Sequence, residues 1–74
     1  MATVRELRLE AGLSKQALGR RANVDTKTIS RAEDGLPIQD VKAAAIVRAL
    51  GEALGQELKI EDVDNLHIYL EPKN

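Results

Sequence analysis

SKQALGRRANVDTKTISRAEDG, residues 14–35, is the stretch on which the reading of this chain turns. Ser14 is a strong N-cap residue, because its hydroxyl can take up one of the unpaired amides at a helix start. Behind it, Ala17, Leu18 and Ala22 give that helix a face of small and aliphatic side chains. Gly19 stands mid-helix, where glycine costs about 1 kcal/mol relative to alanine. A second helix crossing so close that even a methyl group is tight best explains it. Asn23 follows four positions later, and asparagine is the best residue after glycine for a single left-handed position. It ends the helix and Val24 plugs the corner. Asp25 then caps the next helix, its charge suiting the helix dipole. In that helix Ile29 and Ala32 face inward, while Thr26, Lys27, Thr28 and Arg31 face outward. Gly35 stops it.

A small residue, a left-handed corner and a β-branched plug at this spacing are what a helix-turn-helix requires. Upstream, TVRELRLEAG (residues 3–12) places Val4, Leu7 and Ala11 on one helical stripe, with Gly12 as a natural stop. Downstream, LPI (residues 36–38) is an extended connection, since the residue before proline avoids the helical region. A fourth helix is expected from Gln39 or Asp40, with Ala43, Ile46, Val47, Leu50 and Leu54 on one stripe. Gly51 interrupts that pattern, and Gly55 is the better terminator. KIEDVD (residues 59–64) reads as a short final turn carrying Ile60 and Val63. NLHIYLEPK (residues 65–73) alternates Leu66, Ile68 and Leu70 with His67 and Tyr69. It is strand-like, closed by Pro72, and has nothing to pair with in a helical domain.

Seventy-four residues make a single small domain with a thin core. The hydrophobes are aliphatic, with no Phe, no Trp and one Tyr. That composition favours closely packed helices over a β-sandwich. The chain has no cysteine, which excludes disulfides and thiolate metal sites. Met1 leads into polar residues and no long apolar run follows, so neither secretion nor membrane spanning is expected, and the cytoplasm is the expected compartment. Net charge is −1, yet it is polarised. Residues 1–31 carry seven basic against three acidic side chains, a net of +4, and residues 32–74 four against nine, a net of −5. Such asymmetry points to a polyanionic partner for the first half.

LRLEAGLSKQALGRRANVDTKTISRAEDG (residues 7–35) resembles the helix-turn-helix of the Cro/phage-repressor-like transcriptional regulators. Leu13-Ser14, Gly19, Val24, Thr28-Ile29-Ser30, Glu33 and Gly35 carry the likeness, and VKAAAIVRALG (residues 41–51) is similar to that family's fourth helix. Two positions depart from the pattern. Lys15 replaces a frequent glutamine, keeping a phosphate contact as a point charge but losing the amide's capacity to brace a neighbour. Asn23 replaces the usual corner glycine. Residues 65–74, by their own alternation, read as a tail suited to a short C-terminal dimerisation strand. The resemblance implies an all-α, five-helix repressor-like domain over residues 1–64.

It further implies that the third helix lies in the major groove while the second crosses the backbone. Thr26, Lys27, Thr28 and Arg31 would then read bases, and Arg8, Ser14, Lys15 and Ser30 would contact phosphates. On an ordinary helix such side chains would simply be solvated; the motif around them is what gives them this role. Arg20 and Arg21 read as surface charges, and His67, the one histidine, as an exposed strand residue. No enzymatic site, metal or cofactor is expected. The partners expected are duplex DNA with a palindromic operator and a second copy of the chain, joined by an antiparallel ribbon of residues 66–70 or by Leu54, Leu58 and Leu66 across a two-fold axis. Ile68 and Leu70 belong to the ribbon. A protein-binding adaptor or antitoxin-like partner of the same fold is the alternative.

Overall fold

Thr3 opens the first helix by a reciprocal cap in the computed structural model, which describes residues 2–69. Its hydroxyl accepts from the Glu6 amide (3.1 Å), and its own amide donates to the Glu6 carboxylate (2.9 Å). Four α-helices follow in order: α1 (Val4–Glu10), α2 (Lys15–Ala22), α3 (Thr26–Glu33) and α4 (Asp40–Leu54). A single 3-10 turn (Ile60–Asp62) ends the helical part. A two-residue strand β1 (Ala2–Thr3) pairs in parallel with β2 (Val63–Asp64), with Ala2 opposite Val63. Among the described residues four α-helices thus stand where five were expected, and KIEDVD is the short final turn read from the sequence. Asp62 accepts from the Lys59 amide (3.0 Å), and β-branched Val63 is buried in extended backbone against the N-terminus.

All four helices close alike. An amide reaches back five residues across a left-handed position: Leu13 to Arg8, Val24 to Gly19, Leu36 to Arg31 and Gln56 to Gly51. The left-handed positions are Gly12, Asn23, Gly35 and Gly55, the stops read from sequence. Gly51 does not interrupt α4. A Cβ there would stand 2.6 Å from the Gln56 carbonyl oxygen, so glycine lets the chain fold back over its own helix.

The core is purely aliphatic. Val4 of α1, Leu18 of α2, Ile29 of α3 and Ile46 and Leu50 of α4 are essentially inaccessible. Gly19 answers to a closer neighbour than another helix. Its Cβ would lie 2.8 Å from the carbonyl oxygen of Val24, part of the corner itself, while Ile29 stays at ordinary contact distance. The approach is mutual, because the Val24 amide donates to the Gly19 carbonyl at 2.9 Å.

The strand-like tail has a partner in its own chain. The Ile38 amide donates to the His67 carbonyl (3.0 Å), and the Tyr69 amide donates to the Ile38 carbonyl (2.7 Å), forming a parallel bridge between Ile38 and Ile68. Leu66 and Ile68 pack on the core, as do Leu54 and Leu58. These bonds occupy the strand edge that carries the main-chain groups of residues 67 and 69, and leave the edge of residues 66 and 68 to one side; Leu70 lies outside the described residues. The segment read as an intermolecular ribbon is, in its own chain, a strap over the α3–α4 connection.

Gly19→Ala is expected to lower stability by about 1–3 kcal/mol in urea unfolding, the range for overpacking. Helix propensity alone would raise stability by about 1 kcal/mol, so the sign of the change separates the two effects.

Candidate nucleic-acid interface

The pairing of α2 and α3 creates one continuous polar surface. Ser14 caps α2 by accepting from the Ala17 amide (3.0 Å), and Asp25 caps α3 by accepting from the Thr28 amide (3.0 Å). Lys15, the first residue of α2, donates from Nζ to the Ser30 hydroxyl of α3 at 3.3 Å. The start of one helix is thereby tied to the middle of the other. Lysine at this place braces a neighbouring side chain after all, contrary to the loss expected from sequence.

Helical phase sorts the α3 side chains. Thr28, Ile29 and Ala32 are buried, whereas Thr26, Lys27 and Asp34 are exposed, with Ser30 half-buried beside them. Thr28 is the base-reading candidate that burial removes. Only 6% of it is exposed, and its hydroxyl is committed to the Asp25 carboxylate. The 28, 29, 32 spacing is itself a buried helical stripe, so the signal was present in the sequence. Ser30, expected at a phosphate, lies on the outward stripe with Thr26 and Lys27. Arg31 is half-buried and donates from Nη2 to the Pro37 carbonyl (3.0 Å), which turns it towards the α3–α4 connection. Gln16, which sequence reasoning passed over, is exposed next to Lys15 in the first turn of α2.

Arg8 is the second correction. It belongs to the buried side of α1, and its guanidinium faces inward rather than towards a phosphate. Nε donates to Glu33 Oε2 at 2.5 Å, Nη2 to Glu33 Oε1 at 3.2 Å and Nη1 to the Leu13 carbonyl at 3.0 Å. The two side chains are only 11% and 5% exposed. This fork links α1, the α1–α2 corner and the end of α3. It also disposes of the Glu33 charge, leaving the exposed carboxylate of Asp34 at the C-terminal end of α3. A groove-bound α3 would therefore enter by its N-terminal half.

The Asp25 carboxyl is held below its ordinary value of 3.8. The Thr28 hydroxyl is the main cause and the Thr28 amide the next, partial desolvation opposes them, and the Lys42 charge adds a smaller pull. Among the described residues no three His, Asp or Glu side chains gather as a metal site, and no helix is long and apolar enough to cross a membrane.

Residues 2–61 match a family model described as a helix-turn-helix domain. No curated protein and no solved structure matches the chain.

Arg8→Met is expected to destabilise by about 3–5 kcal/mol, because it leaves the Glu33 carboxylate buried without its partner. Arg8→Met with Glu33→Leu should regain most of that in denaturant unfolding, since burying neither charge avoids both desolvation costs. Asp25 supplies a further expectation. Its folded-state pKa lies below the unfolded one, so its contribution is complete above pH 3.8 and is lost as pH falls through the folded value. The stability gap between the native chain and Asp25→Asn should therefore narrow below about pH 4, checked by thermal unfolding across a pH series.

Proposed function

The chain belongs to the helix-turn-helix domain family, and on that premise we propose that it is a sequence-specific, duplex-DNA-binding regulator of transcription. In this reading it is of the Cro/phage-repressor-like kind and acts in the cytoplasm as a dimeric repressor. The observation that carries the proposal is the Lys15–Ser30 hydrogen bond, which fuses the start of α2 and the outward stripe of α3 into one basic surface. Ammonium groups at Lys15 and Lys27 stand on it with Ser14, Gln16, Thr26 and Ser30, while the one acid at its near edge, Asp25, is engaged by Thr28.

The N-terminal half of α3 enters the major groove, where Lys27 donates to guanine O6 or N7 and the Thr26 methyl meets a thymine methyl. Ser30 stands one turn further along. Ser14, Lys15 and Gln16 meet the sugar-phosphate backbone and set the register. A lone domain makes few base contacts, so two copies on half-sites about 34 Å apart gain affinity by being joined. One edge of the tail is occupied within its own chain, and the groove between α4 and residues 55–60 offers a second joining surface. It is floored by Val47, Gly51 and Leu58 and bordered by Arg48, Glu52 and Glu57. Bound across a promoter, such a dimer represses by occlusion.

That same groove favours a second reading. Apolar floor and mixed charges would equally receive another protein, making the chain an adaptor or antitoxin-like partner.

Selection from a random duplex pool is expected to return a palindrome. Lys27→Ala should relax preference at one base position at a cost of about 1–3 kcal/mol, and Lys15→Ala should weaken all sequences alike while lowering the salt slope by about one. No preference for any duplex at low ionic strength would leave the adaptor reading standing.

A further inference from the structure

The groove between α4 and residues 55–60 carries a charge pattern that the fold does not need. It encloses about 640 Å³ over a floor of Val47, Gly51 and Leu58. Arg48 and Glu52 of α4 form one rim, and Glu57 and Lys59 of the returning chain form the other. All four side chains are exposed, and among the described residues none has an ion-pair partner.

Chain direction sorts the four by sign. Gln56 and Leu58 both lie against Gly51, and the chain then runs back along α4 until residues 67–69 meet Ile38, ahead of that helix. Leu58 and Ile60 turn onto the core, which leaves Glu57 and Lys59 outward. Glu57 thus falls at the level of Glu52, and Lys59 one step closer to Arg48. The groove has an acidic end and a basic end. Its acidic end is the C-terminus of α4, where the helix dipole is already negative. The other three helices each place arginine in the last turn, whereas α4 has no base there and carries Glu52. Packing does not explain two carboxylates at a helix end that repels them. A bound cation would offset both.

A second copy would meet this groove hollow to hollow and leave the floor unfilled. A convex occupant charged at both ends fills it. Arg48 and Glu52 stand four positions apart, about 6 Å along the helix axis. Two extended peptide residues span about 7 Å, whereas a free amino acid carries both charges on one carbon and spans too little.

We propose that this groove binds short apolar peptides of two or three residues by their free termini. The ammonium meets Glu52 and Glu57, the carboxylate meets Arg48 and Lys59, and the side chains cover Val47 and Leu58. This goes beyond the duplex-binding reading and does not rest on it.

The test titrates the ¹⁵N-labelled full chain with the dipeptide leucyl-leucine. Amide signals of Gly51, Gly55 and Leu58 are expected to shift and saturate, with Lys27 on α3 unmoved. N-acetyl-leucyl-leucine and leucyl-leucinamide each lack one terminal charge and should bind about threefold to tenfold more weakly, with free leucine weaker still. Glu52→Gln with Glu57→Gln should abolish the penalty of acetylation and keep that of amidation. Arg48→Gln with Lys59→Gln should do the reverse. Each penalty is a ratio measured within one variant, so altered stability does not imitate the result. Absence of a saturable shift at the groove overturns the site. Equal binding by capped and free dipeptides, or by free leucine, overturns the two-ended ligand. Groove signals that follow chain concentration but not dipeptide give the groove to a second copy and overturn the proposal as well. No arm reads duplex binding, so failure here leaves that reading untouched.

Discussion

The Val24 carbonyl and the backbone of Gly19 approach each other within a distance that no side chain could share. Everything in the working half of the molecule follows from that approach. Because the corner folds onto the middle of α2, Asn23 takes a left-handed turn and α3 leaves at a fixed angle. Ile29 then drops fully into the core, and Lys15 comes within hydrogen-bond reach of Ser30. A larger residue at position 19 would open the corner and part the two helices. The polar face would then cease to be one surface, even with every side chain on it retained.

A buried ion pair completes what the corner begins. Arg8 and Glu33 are 25 positions apart, yet their fork pins the end of α3 to α1 at the point farthest from Asn23. Buried pairs of this kind are weak contributors to net stability but severe when halved. Its effect here is on placement: α3 is held at both ends while its N-terminal half faces outward. The same pair silences a carboxylate that would otherwise repel a polyanion. The chain's polarised charge is thus refined in three dimensions, with Glu33 paired internally while Lys27 stays exposed and Lys15 half-exposed beside it.

The tail shows how a helical domain can accommodate strand-like sequence. Ile38 follows a proline in extended backbone, so its amide and carbonyl have no helical partners and accept residues 67 and 69 in their place. Those two bonds satisfy main-chain groups at a buried residue, where an unpaired amide would be costly. They also couple the C-terminus to the connection that follows α3. Shortening the chain after residue 64 would therefore disturb the flank of the candidate interface, not merely remove an appendage.

Local stereochemistry was legible in the sequence. Ser14 and Asp25 as caps, Gly12, Asn23, Gly35 and Gly55 as stops, and the stripe from Ala43 to Leu50 each depend on residues within a turn or two, where propensity and sterics act directly. The likeness to a helix-turn-helix was legible for the same reason, since the motif is a run of such local demands. Arg8 went astray because a long-range partner, Glu33, intervened, and contacts of the same range gave the tail its bridge to Ile38 and residues 63–64 their pairing with β1. Thr28 went astray by phase alone. A sequence specifies which groups need partners; only the folded chain decides which distant group supplies each one, because that choice is made by burial and backbone pairing across elements whose spacing is not written in their order.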